Sequence, residues 1–404
     1  MSIRLWLHPA AVAEYVEGAA IRVRRGVRGH TRRSGSAAGI IRSCIADTWD
    51  GRSFTASPGH FHNFWTRDLC FSVPSLVRIG EAERVHTSLA YALATWERRR
   101  SHVTTTIHRF DRPADVYDYG VDSLPLLMAA LRSAGAGDLV LRHRAWLGRE
   151  VLHFSSRVVD PLTGLVRADR KYSAHRDTVT NRSNTYGNSM VALLAKTLGE
   201  RPEWELPDPL ARHFDGDYGR LLRDHFWLGD RYRDAIGSDA TSGEANLWPF
   251  YTGVEGSFEM LRQALDTLEK EGYTSPLPLR YETSRDPAKE VWLTRHLLPD
   301  YQGSTVWTSL GAMFLQLQRS VAPRRASEGI ERYTELVERD GTFWEVLDPG
   351  SLRCWVSPRR VLIGEEAMLW SAIFLDLLEH RDREPALLSR PAADEVGVSL
   401  TIAA

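Results

Sequence analysis

The chain has 404 residues, of which 43% are hydrophobic and 25% are charged, and its formal net charge is −1. These values are typical of a soluble globular protein, and the near-neutral balance argues against a broad basic surface for nucleic acid or anionic membranes. No apolar run approaches the ~18 residues of a membrane span, and the N-terminus lacks the apolar core of a signal peptide. The three cysteines, Cys44, Cys70 and Cys354, match no metal or redox spacing. We therefore expect a cytoplasmic protein that binds neither nucleic acid nor membrane.

Six apolar stripes with helical spacing follow one another along the chain. They occupy residues 69–77, 124–131, 190–198, 254–268, 306–317 and 369–378. The first four end at or near a glycine, which is a common residue just beyond the end of a helix. Most of the stripes follow a polar loop that is rich in aromatic residues. The pattern predicts a repeated plan in which a motif loop comes first and a buried helix follows.

The domain organisation follows from what the sequence contains between these stripes. Strand-like alternation is scarce, and there is no strict repeat or low-complexity segment. We expect a single mainly helical domain over residues 1–390, built from about a dozen helices in pairs. An Arg-rich extension over about residues 1–35 would be peripheral, and residues 391–404 would form a peripheral or disordered tail. Helix pairs closed into a ring would bring the motif loops together at one end.

The first motif is Trp65-Thr66-Arg67-Asp68, which comes directly before the first stripe. Its position places Arg67 and Asp68 at a helix N-terminus, where they can face a cavity. Such a group suits a sugar, because the indole ring can cover a C–H face while the carboxylate and the guanidinium share the hydroxyl groups. An ion pair that caps an ordinary helix explains the same residues equally well.

Four further loop segments combine aromatic side chains with acids or amides. They are residues 119–123; residues 175–178 with 184–188; residues 246–251 with 301–307; and residues 341–348 with 364–366. Each segment alone fits helix capping or core packing. The order of all five along the chain is far more specific than any one of them.

This succession resembles the six-hairpin glycoside hydrolases, whose catalytic domain is an (α/α)6 barrel and which include glucoamylases, trehalases, amylo-α-1,6-glucosidases and neutral invertases. The first motif is similar to the Trp-Thr-Arg-Asp with which glucoamylases grip the terminal glucose. Residues 341–345, Gly-Thr-Phe-Trp-Glu, resemble the segment that holds the catalytic base of that family, and Leu369-Trp370-Ser371-Ala372 follows at a similar spacing. Residues 301–307 fall where the family has a Tyr-Asn-Gly-Asn-Pro-Trp loop. The resemblance extends from about residue 38 to 382 and implies an all-α, (α/α)6 toroid.

One departure concerns the general acid. Glucoamylases take it from a Glu-Glu pair before the middle helix, where this chain reads Asp177-Thr-Val-Thr-Asn. Trehalase-like and invertase-like members use an Asp in this region, so the resemblance implies Asp177 as the acid and Glu345 as the base. It also implies inversion, for which the two carboxyl groups lie about 6.5–9.5 Å apart, whereas retention requires about 5 Å. The departure leaves starch in doubt as the substrate.

The sequence analysis thus predicts an inverting, exo-acting hydrolase that releases terminal glucose from small α-glucosides or oligosaccharides. The residues expected to contact the sugar are Trp65, Arg67, Asp68, Tyr119, Asp122, Trp248, Tyr301, Gln302, Trp307, Trp344 and Glu366, and Glu365 is an alternative to Glu366. We expect no cofactor and no metal, because His60 and His62 lack a third spaced ligand. The partner would be a small carbohydrate, and the sequence does not indicate an oligomeric state.

Two other functions fit the same sequence. A sugar isomerase or epimerase on a similar barrel would move protons next to a carbonyl group and would use His60, His62, His108 or His175. A sugar-binding protein without catalysis would have kept the pocket and lost the acid, as the absent Glu-Glu pair permits.

Overall fold

The computed structural model describes residues 29–116 and 118–388, and this part of the chain is mainly helical. The α-helices are α1 (Ala37–Asp47), α2 (Thr66–Arg78), α3 (Ala82–Arg99), α4 (Ser123–Ser133), α5 (Gly137–Arg142), α6 (Arg144–Val158), α7 (Thr185–Gly199), α8 (Ala211–Phe214), α9 (Arg220–Phe226), α10 (Trp248–Tyr251), α11 (Phe258–Lys270), α12 (Trp292–Leu297), α13 (Thr308–Val321), α14 (Pro323–Asp340) and α15 (Ser371–Glu379). The short strands are β1 (Phe64–Trp65), β2 (Thr106–His108), β3 (Arg112–Ala114), β4 (Val306–Trp307) and β5 (Val346–Leu347).

Six of these helices form a closed ring. Helix α2 contacts α4, α4 contacts α7, α7 contacts α10, α10 contacts α13, α13 contacts α15, and α15 returns to α2. A second set alternates with them along the chain and packs outside: α1 on α15, α3 on α2, α6 on α4, α9 on α7, α11 on α13, and α14 on α13. Alternating inner and outer helices make an (α/α)6 toroid, so the predicted fold class is confirmed.

Burial follows this division into inner and outer helices. All residues of the inner helix α4 are buried, because its neighbours in the ring and its outer helix cover every face. The outer helix α14 buries only Ala326, Ile330, Tyr333 and Val337, which recur at helical spacing and form one stripe. Each fully buried large side chain of this kind contributes about 2 kcal/mol. The amphipathic pattern therefore encodes which helices lie outside.

The inner helices begin directly after the motif loops. Trp65, Trp307 and Trp370 are the residues that precede α2, α13 and α15, and Asp122 precedes α4. Asn184 caps α7, because its side chain accepts a hydrogen bond from the backbone of Gly187 at 2.9 Å. The motif residues thus lie at the N-terminal ends of the inner helices, as the closed ring predicted.

Two short sheets fix the positions of motif side chains. Strand β1 pairs with β2 and sets Trp65 opposite Thr106, while β4 pairs with β5 and sets Trp307 opposite Val346. The second pair holds the start of α13 beside the chain segment that carries Glu345. Val306 therefore belongs to a strand and not to the predicted helix, because apolar periodicity does not distinguish a packed strand from the first turn of a helix.

The predicted fourth stripe also differs at its start. Helix α11 begins at Phe258, so Val254 lies outside it, and Phe258 itself is 61% exposed. The helix is nevertheless capped by Ser257, whose hydroxyl accepts the backbone N–H of Met260 at 3.2 Å. The polar cap, and not the apolar spacing, sets where this helix begins.

Most of the predicted N-terminal extension and the whole predicted tail over 391–404 lie outside the described residues. The part of the extension that the structure describes begins at residue 29 and runs along the loop after α14. There the backbone N–H of Arg33 donates to the carbonyl of Gly341 at 2.9 Å. Gly341 has a φ of +67°, and a Cβ there would meet the carbonyl oxygen of Arg33 at 2.5 Å, so only glycine fits this approach. Within the described ranges, no helix combines the length and the apolar character that a membrane crossing requires.

Candidate active site

A cavity of about 260 Å³ opens where the N-terminal ends of α2, α13 and α15 meet. Asp177 and Glu345, the predicted acid and base, both line it although they are far apart in the sequence. The described residues that line it are His60, Phe61, Trp65, Arg67, Asp68, Phe71, Val116, His175, Asp177, Thr178, Thr294, Leu298, Tyr301, Gln302, Trp307, Glu345, Leu362 and Trp370.

Arg67 lies in the first turn of α2 and is held from two sides. Its Nε donates to Asp122 Oδ2 at 2.7 Å, and its Nη1 donates to Asp177 Oδ2 at 3.0 Å. Asp122 is fully buried and also accepts the hydroxyl of Tyr186 at 2.6 Å. The guanidinium is therefore fixed in one orientation, with its charge balanced by two carboxylates.

Asp177 lies in the loop between α6 and α7, and its side chain is 21% exposed. Its Oδ1 accepts the hydroxyl of Ser173 at 2.7 Å, and its Oδ2 accepts Arg67. Burial raises the pKa of Asp177, while Arg67 and the Ser173 hydroxyl act in the opposite direction. The net direction is the one a general acid requires.

Glu345 lies just before β5 and is only 1% exposed. The hydroxyl of Tyr301 donates to Oε1, and the backbone N–H of Glu365 donates to Oε2 at 2.8 Å. Burial raises the pKa of Glu345 to about 8; those two hydrogen bonds lower it, while the carboxylates of Glu365 and Asp68 raise it. The largest effects that favour the ionised form of Glu345 are therefore hydrogen bonds from neutral groups.

Asp68 is the third carboxyl group of the cavity. Burial raises its pKa to about 7, Arg67 opposes the rise, and Asp177 and Asp122 add to it. Three carboxyl groups thus share the cavity with the guanidinium of Arg67, which Asp122 already neutralises in part. Because like charges this close cannot all ionise at low cost, the group retains protons near neutral pH.

Aromatic side chains form much of the cavity wall. Trp307 donates its Nε1 to the carbonyl of Tyr301 at 2.9 Å, and Trp370 donates to Thr308 Oγ1 at 3.0 Å, so both rings are fixed. The Nε1 of Trp65 is buried and has no partner among the described residues, which leaves it available to a ligand. Flat rings beside polar groups form a surface on which a sugar ring can lie.

Three side chains that were predicted to contact the sugar lie behind the cavity wall and do not line the cavity. Asp122 is covered by Arg67 and serves to hold it. Trp248 is fully buried, with its ring 5.1 Å from that of Tyr186. Tyr119 is 3% exposed, and the guanidinium of Arg157 lies 4.9 Å from its ring. Their motifs do precede helices, but the loop conformation directs these side chains into the protein.

Trp344 and Glu366 also lie outside the cavity lining. Trp344 donates its Nε1 to Asp340 at 2.8 Å and lines a separate hollow beside the N-terminal segment. Glu366 accepts the backbone N–H of Thr31 at 2.7 Å. Trp344 precedes Glu345, and successive side chains of an extended segment point to opposite sides. Glu345 therefore faces the cavity, and Trp344 faces away from it. Glu365, the alternative to Glu366, also lies outside the residues that line the cavity.

Several lining residues were not predicted. Phe71 follows Asp68 by one helical turn, so the helical period alone could have indicated it. Trp370 precedes an inner helix in the same way as Trp65 and Trp307 do. Thr294 and Leu298 belong to the segment around α12, whose sequence has no feature that marks a site.

Of the four histidines named for the isomerase hypothesis, His60 and His175 line the cavity, and His62 and His108 do not. His175 lines the cavity, but its Nδ1 is bonded to the hydroxyl of Tyr281 at 2.6 Å, and burial holds its pKa well below the usual value. His108 is paired with Asn63 at 3.3 Å, and burial lowers its pKa to about 4. The described residues contain no group of three His, Cys, Asp or Glu side chains arranged to hold a metal ion.

No protein-family model matches this chain, and no curated protein matches it either. Solved structures do match. A glycosidase variant in complex with glucose has a TM-score of 0.60 and 15% identity, with 89% of this chain and 97% of the other covered. A GH63 mannosylglycerate hydrolase from Thermus thermophilus, in complex with Tris and D-glycerate, has a TM-score of 0.57 and 13% identity, covering 85% and 99%. A bacterial glucoamylase complexed with acarbose has a TM-score of 0.59 and 11% identity, covering 88% and 56%.

These similar structures are glycoside hydrolases of the six-hairpin class. The chain therefore has the six-hairpin glycosidase fold, as its motifs predicted.

Proposed function

We propose that this protein is an inverting, exo-acting glycoside hydrolase that releases terminal α-linked glucose from small α-glucosides or oligosaccharides. The observation that carries the proposal is the meeting of Asp177 and Glu345 in one cavity with Arg67, Asp68 and the aromatic wall. Two carboxyl groups with raised pKa values, on a fold shared with glycosidases, are the components of acid and base catalysis at a glycosidic bond.

The hydrogen bonds of the two carboxyl groups suit a change of protonation. In each carboxyl group, one oxygen faces a group that can only donate a hydrogen bond. The other oxygen faces a hydroxyl, which can donate or accept. For Asp177 the donor is Arg67 and the hydroxyl is that of Ser173. For Glu345 the donor is a backbone N–H and the hydroxyl is that of Tyr301. Either carboxyl can therefore gain or lose its proton without leaving a buried partner unsatisfied.

In the proposed reaction Asp177 gives its proton to the glycosidic oxygen as the bond to the anomeric carbon breaks. Glu345 takes a proton from a water molecule, whose oxygen attacks the anomeric carbon from the opposite face. The α-glucoside thus yields β-glucose and a free alcohol. Proton exchange with solvent returns both carboxyl groups to their starting states.

One observation favours the reverse assignment of the two roles. Arg67 donates to Asp177, whereas the donors that reach Glu345 are a hydroxyl and a backbone N–H, so Glu345 holds a proton more tightly. Under the proposed roles, the productive form with a protonated Asp177 and an ionised Glu345 is a minority species. Under the reverse roles it is the major species.

The outer part of the cavity indicates the chemistry of the leaving group. Val116 is 40% exposed, and it is joined there by partly exposed Phe61 and Leu298. The nearby hydroxyl of Thr294 is engaged with the carbonyl of Thr178 at 3.0 Å. An apolar rim above a group of carboxylates favours an uncharged aglycone and disfavours an anionic one.

The proposal is tested by incubating the protein with α-linked glucose disaccharides and aryl α-glucosides and following glucose release. We expect turnover of at least one of them, with β-glucose as the first anomer seen by NMR. Release of α-glucose would overturn inversion. Calorimetric binding of the same sugars without turnover would instead identify a sugar-binding protein, and conversion of a free monosaccharide without hydrolysis would identify an isomerase.

The roles are separated with Asp177→Asn and Glu345→Gln on two substrates. A positioned acid or base contributes about 100-fold or more, so both variants should lose at least that factor on an alkyl α-glucoside. Fluoride leaves without protonation, so Asp177→Asn should recover most of its activity on α-glucosyl fluoride while Glu345→Gln should not. Recovery by Glu345→Gln alone would establish the reverse roles.

A further inference from the structure

Gln302 was expected to bind a sugar hydroxyl, but its side-chain amide is engaged with the protein. Its Oε1 accepts the backbone N–H of Thr178 at 2.8 Å and the hydroxyl of the same residue at 3.0 Å. Its Nε2 donates to the carbonyl of His175 at 2.9 Å. These contacts lie on both sides of Asp177 in the sequence. The amide thus holds, by three hydrogen bonds, the backbone segment of residues 175–178, which carries the proposed acid.

The preceding residue, Tyr301, makes the corresponding contact with the proposed base, because its hydroxyl donates to Glu345. Consecutive Cα atoms are about 3.8 Å apart, so side chains from two neighbouring positions contact the segment of each proposed catalytic residue. One side chain contacts the carboxyl directly, and the other contacts the backbone around it.

The backbone of this pair is itself fixed. The carbonyl of Tyr301 accepts the hydroxyl of Thr305 at 2.6 Å and the indole of Trp307 at 2.9 Å. The carbonyl of Gln302 accepts both Nε and Nη2 of Arg176, at 3.2 and 2.9 Å. Gly303 follows, and a Cβ there would lie 2.1 Å from a carboxylate oxygen of Asp300, so a larger residue would displace the Asp300 side chain from its hydrogen bonds with Ser304. The backbone of Tyr301 and Gln302 is therefore fixed by hydrogen bonds that are separate from those of their side chains.

We propose that Tyr301 and Gln302 together act as a positioning bridge that sets the separation between the carboxyl groups of Asp177 and Glu345. This rests on the proposed function for its catalytic meaning, but the geometry itself concerns the protein alone. An inverting enzyme must hold a water molecule between the base and the sugar, so a change of about 1 Å in the separation changes the rate far more than the affinity. Gln302 is accordingly a positioning residue, since it acts through the backbone of residues 175–178.

The test replaces Gln302 by Met, which keeps the length of the side chain and removes the three hydrogen bonds. We expect kcat to fall about 100-fold, with KM for an aryl α-glucoside changed less than about threefold, because the sugar-facing groups stay in place. Gln302→Glu keeps an acceptor towards Thr178 and loses the donor towards His175, so its kcat should lie between those of Gln302→Met and the wild type.

The matched control is Gln318→Met. Gln318 is 3% exposed and donates to Glu269, on the outer helix α11, so it is also a buried glutamine with a side-chain partner. Its loss should leave kcat unchanged. A purely structural role for Gln302 would lower the amount of folded enzyme in both variants alike and leave the kcat of the folded fraction intact, and that result would overturn the proposal.

A crystal structure of Gln302→Met provides a readout that does not depend on activity. We expect the carboxyl group of Asp177 to move by about 1 Å or more relative to Glu345, while Glu345 and Tyr301 keep their contact. An unmoved Asp177 would refute the positioning bridge even if the wild type hydrolyses glucosides. A displaced Asp177 in a protein that hydrolyses no glucoside would leave the bridge in place and refute the function.

Discussion

Carboxyl groups lie inside the helical ring at both of its ends, but the groups that surround them differ. At the end opposite the cavity, Asp376 of α15 is 1% exposed and is surrounded by four polar groups. It forms an ion pair with Arg78 at 3.4 Å and hydrogen bonds with His380 at 2.8 Å, Gln316 at 3.0 Å and Ser75 at 3.4 Å. The donors come from α2, α13 and the end of α15 itself, so the carboxylate joins three inner helices. At the cavity end, Asp68, Asp177 and Glu345 face open volume and one another.

This difference shows how one fold separates stability from chemistry. Burial raises the pKa of Asp376 as it does in the cavity, but Arg78, the hydrogen bond from His380 and Arg319 oppose the rise. Neutralising Asp376 would therefore break a buried ion pair. The raised pKa of Glu345 is opposed by neutral hydrogen-bond donors, so neutralising Glu345 breaks no such pair. The comparison therefore predicts opposite responses to the same chemical change at the two ends.

The largest effect is expected for Glu345→Gln. Hydrolysis should fall at least 100-fold, yet stability should not decrease, because the amide resembles the protonated glutamate that the buried site favours. The raised pKa of Glu345 means that the folded wild type binds a proton more tightly than the unfolded chain, so wild-type stability falls between about pH 5 and pH 8. Urea unfolding at several pH values should show that the free energy of unfolding of the variant rises relative to that of the wild type over that range. A variant that is less stable than the wild type at pH 8 would contradict this account.

Asp376→Asn should have the opposite result. The substitution would break the ion pair with Arg78, whose side chain is 0% exposed, and stability should fall by about 3 kcal/mol. The kcat of the remaining folded enzyme should be unchanged. Asp266→Asn is the control, since its pair with Arg325 is about half exposed and its loss should cost less than about 1 kcal/mol. Equal losses in the two variants would remove the contrast between a buried and a surface carboxylate.

The pH dependence refines the comparison within the cavity end. The upper limb of kcat/KM should fall near pH 8, set by Glu345. Because the hydroxyl of Tyr301 lowers the pKa of Glu345, Tyr301→Phe should move this limb to higher pH. If Glu345 is the base, the maximum of kcat/KM should also drop by about tenfold for each unit by which the pKa of Glu345 rises. The reason is that the form with an ionised Glu345 and a protonated Asp177 becomes rarer. A maximum that stays level while the limb moves would assign Glu345 as the acid.

The smallest effect concerns the rim of the cavity. Wild type should show a KM for 4-carboxyphenyl α-glucoside about fivefold higher than for phenyl α-glucoside, as expected for a charge interaction of about 1 kcal/mol. Leu298→Arg should remove this difference. The control is Leu293→Arg, on the neighbouring helix α12, because Leu293 is 45% exposed and does not line the cavity. An equal KM for the two substrates in the wild type would refute the preference for an uncharged aglycone.

The sequence indicated much of the site because its residues are fixed by local structure. Arg67 and Asp68 follow directly on Trp65 at a helix start, and Trp307 occupies the same place before α13. Errors arose where the direction of a side chain depends on a loop. Trp344 and Glu345 are neighbours, and sequence alone gives no reason why one faces the N-terminal segment and the other the cavity. Gln302 was assigned to a ligand, because its three protein partners lie more than a hundred residues away.

By itself, the sequence determined the helical class, five of the six inner helices and the group of residues that begins α2. Those features depend on periodicity and capping, which act within a few turns of the chain. The tertiary structure alone decided that Asp177 and Glu345 share a cavity, that Asp376 lies in a network of donors, and that Tyr301 and Gln302 hold both proposed catalytic groups. These depend on hydrogen bonds and burial between distant segments, and the energy of a buried polar group is set by whichever partners folding brings to it.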